Sequence, residues 1–125
     1  MEYIDEGRLA EASRLTESVL RERTQRNADC SRDPKRADDW FLPEPPATSP
    51  RARASYERTA ERLCAACPVR PECLEFALRR ESGQRAWGIW GGLAPWQREP
   101  LVRARRSAAP EELAAATIRA LSEAA

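Results

Sequence analysis

Four cysteines stand at positions 30, 64, 67 and 73, a C-x33-C-x2-C-x5-C pattern in a chain of 125 residues without a single histidine. Four thiolates and nothing else form a complete ligand set for a structural zinc ion or for a 4Fe-4S cluster. Spacing separates the two. Zinc ribbons present two short C-x-x-C knuckles, whereas this chain has one, Cys64-Ala-Ala-Cys67. The C-x5-C step to Cys73 covers more distance and suits a cubane whose iron corners lie apart. Three clustered cysteines and one remote one, Cys30, is also an iron-sulfur arrangement. A zinc-bound interaction module with all four cysteines as ligands stays open as the alternative.

Cys64-Ala-Ala-Cys67 also admits a thiol-disulfide reductase. That chemistry wants the pair at a helix N-terminus, where the dipole lowers the attacking thiol's pKa, usually after a strand. Here the pair falls at the end of an expected helix and no strand precedes it, so a disulfide is expected only in the apo form. Arg62 and Arg70 flank the motif and offset the excess negative charge of a thiolate-ligated cluster.

Composition bounds the rest. With 33% charged residues and 10 prolines, apolar material for a large core is limited, and something besides burial must help to hold the fold. The formal net charge is +1, so attraction to nucleic acid would have to come from a local arginine cluster; of the 21 basic residues only Lys35 is not arginine. No run approaches the roughly 18 apolar residues of a membrane span, and the first residues lack a basic, then apolar leader. The expected location is the cytoplasm. In that reducing compartment four cysteines point to metal or redox work rather than structural disulfides.

The elements that position the cysteines read as helices. Residues 5 to about 27 carry Leu9, Ala12, Thr16, Val19 and Leu20 at helical spacing, with Glu17 and Arg21, then Glu22 and Arg26, as i,i+4 pairs. Five prolines from position 34 to Pro50 itself make the stretch after Cys30 a loop, anchored by Trp40, Phe41 and Leu42. Ser49-Pro50 opens a helix whose stripe Ala52, Tyr56, Ala60, Leu63, Cys67 runs to Pro68. Pro71 and Glu72 open another, with Cys73 in its first turn and Gly83 as a left-handed cap. The glycine-rich Trp87-Gly88-Ile89-Trp90-Gly91-Gly92 follows as a tight turn, with Gly88, Gly91 and Gly92 structural, since no lysine, serine or threonine follows them as a phosphate loop requires. Pro110, Glu111 and Glu112 open a last helix. The expected class is mostly α: a small helical domain organised around the cysteines, with the glycine-rich turn after the third core helix.

Taken together, Cys30 with Asp33-Pro34 and Trp40-Phe41-Leu42-Pro43, then Cys64-Ala-Ala-Cys67-Pro-Val-Arg-Pro-Glu-Cys73, then Gly88-Ile89-Trp90-Gly91-Gly92 resemble the WhiB-like proteins of actinobacteria and their phages. The resemblance covers about residues 29 to 98. It implies an iron-sulfur regulator of transcription, not an enzyme, in which Cys30, Cys64, Cys67 and Cys73 ligate one 4Fe-4S cluster that reacts with oxygen and nitric oxide. It implies as partners the C-terminal domain of a primary sigma factor, through Trp40, Phe41 and Trp90, and promoter DNA, through Arg98, Arg103, Arg105 and Arg106; no membrane and no small-molecule substrate enter. The chain departs from the family in its Trp-Phe-Leu-Pro stretch and in lacking an Arg-Gly-Arg-Pro hook. The expected division is 1–28, an N-terminal amphipathic helix; 29–97, the iron-sulfur core; and 98–125, a basic segment with a C-terminal helix. Trp87 is expected in the core, and Trp90, beside the two glycines, as the exposed anchor.

Overall fold

The computed structural model describes residues 4–85 and 87–124. Residues 1–3, which begin the expected N-terminal segment, lie outside the described residues. Among those described, six α-helices and three short 3-10 turns occur and no strand: α1 (Glu6–Ala12), α2 (Glu17–Asn27), α3 (Pro50–Cys64), α4 (Arg70–Arg80), α5 (Pro95–Arg105) and α6 (Leu113–Ala124). The mostly helical class expected from the residue pattern is what the chain adopts. Among the described residues no helix is long and apolar enough to cross a membrane.

The single N-terminal helix expected over residues 5 to 27 is two helices. Thr16 takes extended backbone and its hydroxyl accepts from the Val19 N–H at 3.3 Å, which satisfies a donor that a new helix start would orphan. Arg79, from α4, caps the other side of the break by donating to the carbonyls of Ala12 and Ser13 at 3.2 and 3.1 Å. A partner distant in the chain thus converts a continuous helical pattern into a hairpin. Arg8 fastens α1 further, donating to Glu72 at 2.8 Å and to the Pro68 carbonyl at 2.5 Å.

α3 begins as read, with the Ser49 hydroxyl accepting from the Ala52 N–H and Pro50 in the first turn, but it stops at Cys64 rather than continuing to Cys67. α4 also ends differently from expectation. Gly83 has no positive φ; the helix closes at Arg80 with Glu81 in right-handed backbone. The Glu81 carboxylate is claimed by a buried arginine of α5, described below.

One apolar cluster joins all three expected segments: Leu9 from α1, Leu74 and Leu78 from α4, Leu93, Leu101 and Val102 around α5, and Ala120 from α6. A second holds Trp40, Tyr56, Ala60, Cys64, Ile89 and Ala94, and so links the proline-rich loop, α3 and the glycine-rich turn. A third, Ala12, Leu20 and Phe76 with Leu15 and Trp90 against it, docks the N-terminal hairpin. The cysteines fall where these clusters meet.

Candidate metal centre

Each cysteine arrives on a different local device. Cys30 lies in a 3-10 turn, Asp29–Ser31, directly after α2. Cys64 is the last residue of α3, and Cys67 follows in the turn that its N–H closes onto the Cys64 carbonyl at 3.1 Å. Cys73 sits in the first turn of α4, where its N–H donates to the Val69 carbonyl at 2.8 Å. All four line one cavity, whose remaining wall is Ala28, Asp29, Trp40, Phe41, Arg70, Ile89, Trp90 and Gly91. The residue remote in sequence is therefore brought to the three clustered ones.

The cavity is apolar, and the thiols of Cys30, Cys64 and Cys73 are hard to ionise there without a cation. Burial pushes Cys64 up to about 11, against the opposing pull of the Trp40 side chain and the Gly92 backbone. Burial raises Cys73 much further, with the neighbouring Cys64, Cys30 and Cys67 adding to the rise and the Gly91 backbone N–H working against it. Cys30 is raised by burial and then by Cys67. Three thiols raised by burial and by neighbouring cysteines form a site that a cationic centre stabilises by displacing their protons. Among the described residues no three Cys, Asp or Glu side chains are grouped closely enough to share one metal ion.

The glycine-rich turn supplies the wall opposite α4. Trp90 and Leu93 exchange backbone hydrogen bonds at 3.3 and 3.1 Å, and the two residues between them, Gly91 and Gly92, have φ of +63° and +82°. A Cβ on Gly91 would lie 2.6 Å from the Leu74 Cβ and 3.0 Å from its Cα, so the turn presses backbone to backbone on α4 beside Cys73. Gly91→Ala is expected to cost about 1–3 kcal/mol in denaturant unfolding. Gly83→Ala, where an added Cβ meets nothing within 4 Å, is the matched control and should stay within about 0.5 kcal/mol.

Arg70 locks this wall. Its Nε donates to the Gly91 carbonyl at 3.0 Å, while Nη1 and Nη2 fork onto Glu61 of α3 at 3.0 and 2.6 Å. That hydrogen-bonded guanidinium holds the Glu61 carboxyl below the usual carboxylate range despite partial burial. Arg70 thus ties three elements together while placing a positive charge on the cavity. Arg62, the other arginine flanking the motif, is exposed.

The aromatic residues are distributed differently from the sequence reading. Trp40 is 7% exposed, with its carbonyl accepting from the Ile89 N–H at 2.7 Å. Phe41, next to it, is 53% exposed. Trp87, expected in the core, is 66% exposed, while Trp90 is half-buried against Phe76 with ring centroids 6.3 Å apart. The reason is the N-terminal hairpin, which brings Leu20 and Ala12 to Phe76 and so covers the Trp90 side of the turn. Neighbouring sequence could not show this cover, because it comes from some 70 residues upstream.

The arginines expected on DNA divide into two kinds. Arg98 is 0% exposed: Nε donates to Glu81 at 2.8 Å, and Nη1 to the carbonyls of Gly88 and Leu93 at 2.9 and 2.7 Å. Arg105 is buried too, forking onto Glu75 at 3.0 and 2.8 Å and donating to the Thr117 hydroxyl at 3.0 Å. Both guanidiniums are buried inside the fold, which corrects the assignment of these two to a DNA-contacting surface. Arg103 and Arg106 face solvent. Glu75 and Glu81, buried acids whose helix was legible but whose partners were not, are the structural residues that sequence reasoning missed.

The family model for the transcription factor WhiB matches residues 25–101. Among similar proteins, the transcriptional regulator WhiB of Streptomyces coelicolor is 47% identical over 47 residues, covering 38% of this chain and 51% of that protein. The transcriptional regulator WhiB2 of Mycobacterium tuberculosis is 37% identical over 76 residues, covering 56% and 81%. The redox-responsive transcriptional regulator WhiB3 of Mycolicibacterium smegmatis is 43% identical over 60 residues, covering 46% and 59%. Against the Streptomyces protein, then, the chain spans about half of its relative's length. No solved structure matches. With a family match over more than half its length, laid across the four cysteines and the glycine-rich turn, the chain belongs to the WhiB family.

Proposed function

We propose that this protein is a cytoplasmic regulator of transcription that holds one 4Fe-4S cluster on Cys30, Cys64, Cys67 and Cys73 and binds a primary sigma factor and promoter DNA. The observation that carries the reading is the single cavity on which all four cysteines converge. Four cysteines around one cavity suit a multi-iron core, and the backbone of Gly91 and Gly92 favours the ionised forms of Cys73 and Cys64, as an anionic cluster requires. When bound, the cluster supplies a centre that reacts with oxygen and nitric oxide.

The chain's own part is to convert occupancy of the cavity into surface shape. Cys30 ties α2 and the proline-rich loop to α3 and α4, closing a loop of more than 30 residues that the small core scarcely supports by itself. Phe41 and the accessible part of Trp90 sit on the cavity wall and serve as sigma-factor contacts, with Trp40 packed beneath them. Release of the four thiolates loosens that wall and permits a Cys64–Cys67 disulfide. Arg103 and Arg106 contribute salt-sensitive attraction to promoter phosphates.

Anaerobic purification with iron, sulfide and zinc counts tests the centre: about four irons and four sulfides per chain are expected, and one zinc without sulfide would establish the zinc-module alternative instead. Affinity for the C-terminal domain of a primary sigma factor is then measured before and after anaerobic nitric oxide. A fall of at least about tenfold is expected; equal affinity would remove the sensor role.

A further inference from the structure

Trp87 and Phe41 are the exposed large apolar side chains among the described residues, at 66% and 53%. They share one edge of the molecule: a Cβ on Gly88, the residue after Trp87, would lie 2.6 Å from the Phe41 ring. Trp87 is also held in place. The Arg85 guanidinium lies over its ring, 5.3 Å from the centroid. Arg85 in turn donates to Glu44 at 2.6 Å and to Glu99 at 3.2 Å. The Trp87 carbonyl accepts from the Trp90 indole N–H at 2.8 Å. An indole that lies in water yet is clamped on its backbone and stacked under a braced cation is preorganised for a partner and loses little side-chain freedom on binding.

We infer that Trp87, with Phe41 beside it and the Glu44–Arg85–Glu99 brace around it, is an anchor of the sigma-factor interface, seated in an apolar hollow bordered by basic side chains. The inference rests on the sigma-factor reading above and adds to it a residue that the sequence placed in the core. Charge selects the partner's chemistry: two carboxylates surround one guanidinium at the indole, and Glu99 is 47% exposed, so this edge favours a basic protein surface. A sigma-factor DNA-binding domain carries such a surface because it meets phosphate. A solvated tryptophan is also the side chain whose burial contributes most at the centre of an interface. The link through Trp90 places this anchor one hydrogen bond from the cavity wall, so the anchor and the cysteine site are physically connected.

The test uses the full-length anaerobic protein with its cluster and the C-terminal domain of a primary sigma factor, by calorimetry. Trp87→Ala is expected to weaken binding at least about 30-fold, while its iron content and visible spectrum match wild type, since the indole is exposed and is not part of the cysteine cavity's lining. Glu99→Lys is expected to weaken binding about tenfold at low salt, with the difference shrinking as salt screens it. Wild-type binding with Trp87→Ala within about threefold of it would overturn the anchor and leave the sigma-factor reading standing. Failure of wild type itself to bind would overturn both. Should Trp87→Ala lose iron, Trp87→Lys and Arg85→Ala replace it in the same assay, and unchanged affinity in both would equally overturn the anchor.

Discussion

Replacing any one of Cys30, Cys64, Cys67 or Cys73 by serine is expected to abolish cluster binding and, with it, most of the protein's resistance to unfolding. The four thiols line one cavity, and each is delivered by a different turn or helix end, so losing one leaves the others with no shared centre. The same step exposes how little else closes the chain: the loop from Cys30 to Pro50 holds five prolines and is otherwise pinned by Trp40, Leu42 and a few hydrogen bonds. Metal binding by preformed thiolate sites contributes on the order of 10 kcal/mol to folding, more than the typical margin of a domain this size. Iron and sulfide counts near zero for all four variants, with thermal unfolding lowered by well over about 10 °C, are the expected readings. A Cys30→Ser protein that kept a full complement of iron would show that the remote cysteine is no ligand. A reductase built on Cys64 and Cys67 would by contrast tolerate loss of Cys30.

The second large effect comes from a residue whose charge suggested DNA. Arg98→Ala is expected to destabilise the folded protein by about 3–5 kcal/mol, because it leaves the Glu81 carboxylate buried without its counter-charge and frees the carbonyls at both ends of the glycine-rich turn. Burial lowers the Arg98 pKa and raises that of Glu81, each opposed by the other's charge. In the variant the main opposing charge is gone and only the weaker pull of Arg85 remains, so the folded value for Glu81 rises further above its unfolded value. A group shifted that way stabilises the fold while protonated and loses that contribution as pH climbs through the folded value. Destabilisation should therefore be smaller at about pH 5 than at about pH 8. Adding Glu81→Gln should recover part of the loss at the higher pH, since a neutral amide replaces the orphaned charge. Arg103→Ala, on the exposed side of α5, is expected to stay within about 0.5 kcal/mol in the same unfolding measurement. Comparable losses for Arg98 and Arg103 would refute the division into a buried clamp and a free surface.

The clamp also explains why α5 escaped the sequence reading. Pro95, Pro100 and three arginines in eleven residues look like an irregular basic segment. Pro95 in the first turn needs no N–H partner, and Gln97 accepts from the Ala94 N–H at 2.8 Å, so the start is well formed. What makes the helix worth forming is burial of Leu101 and Val102 against Leu74 and Leu78, and the capture of Arg98 and Arg105 by acids of α4 and its C-terminal end. None of that is local.

By themselves, the residues determined what depends on side-chain chemistry and near neighbours. The all-thiol ligand set, the Ser49-Pro50 and Pro71 helix starts, the positive φ at Gly88, Gly91 and Gly92, and the absence of strand periodicity all follow from one residue type or a spacing of a few positions. Tertiary structure alone decided whatever depends on groups far apart in the chain. Arg79 breaks the N-terminal helix by capping Ala12 and Ser13; Glu75 and Glu81 take Arg105 and Arg98 out of water; Leu20 and Phe76 cover Trp90 and leave Trp87 in solvent. An arginine reads the same in sequence whether its donors meet phosphate or a buried carboxylate, because the cost of burying its charge is set by the partner the fold brings to it.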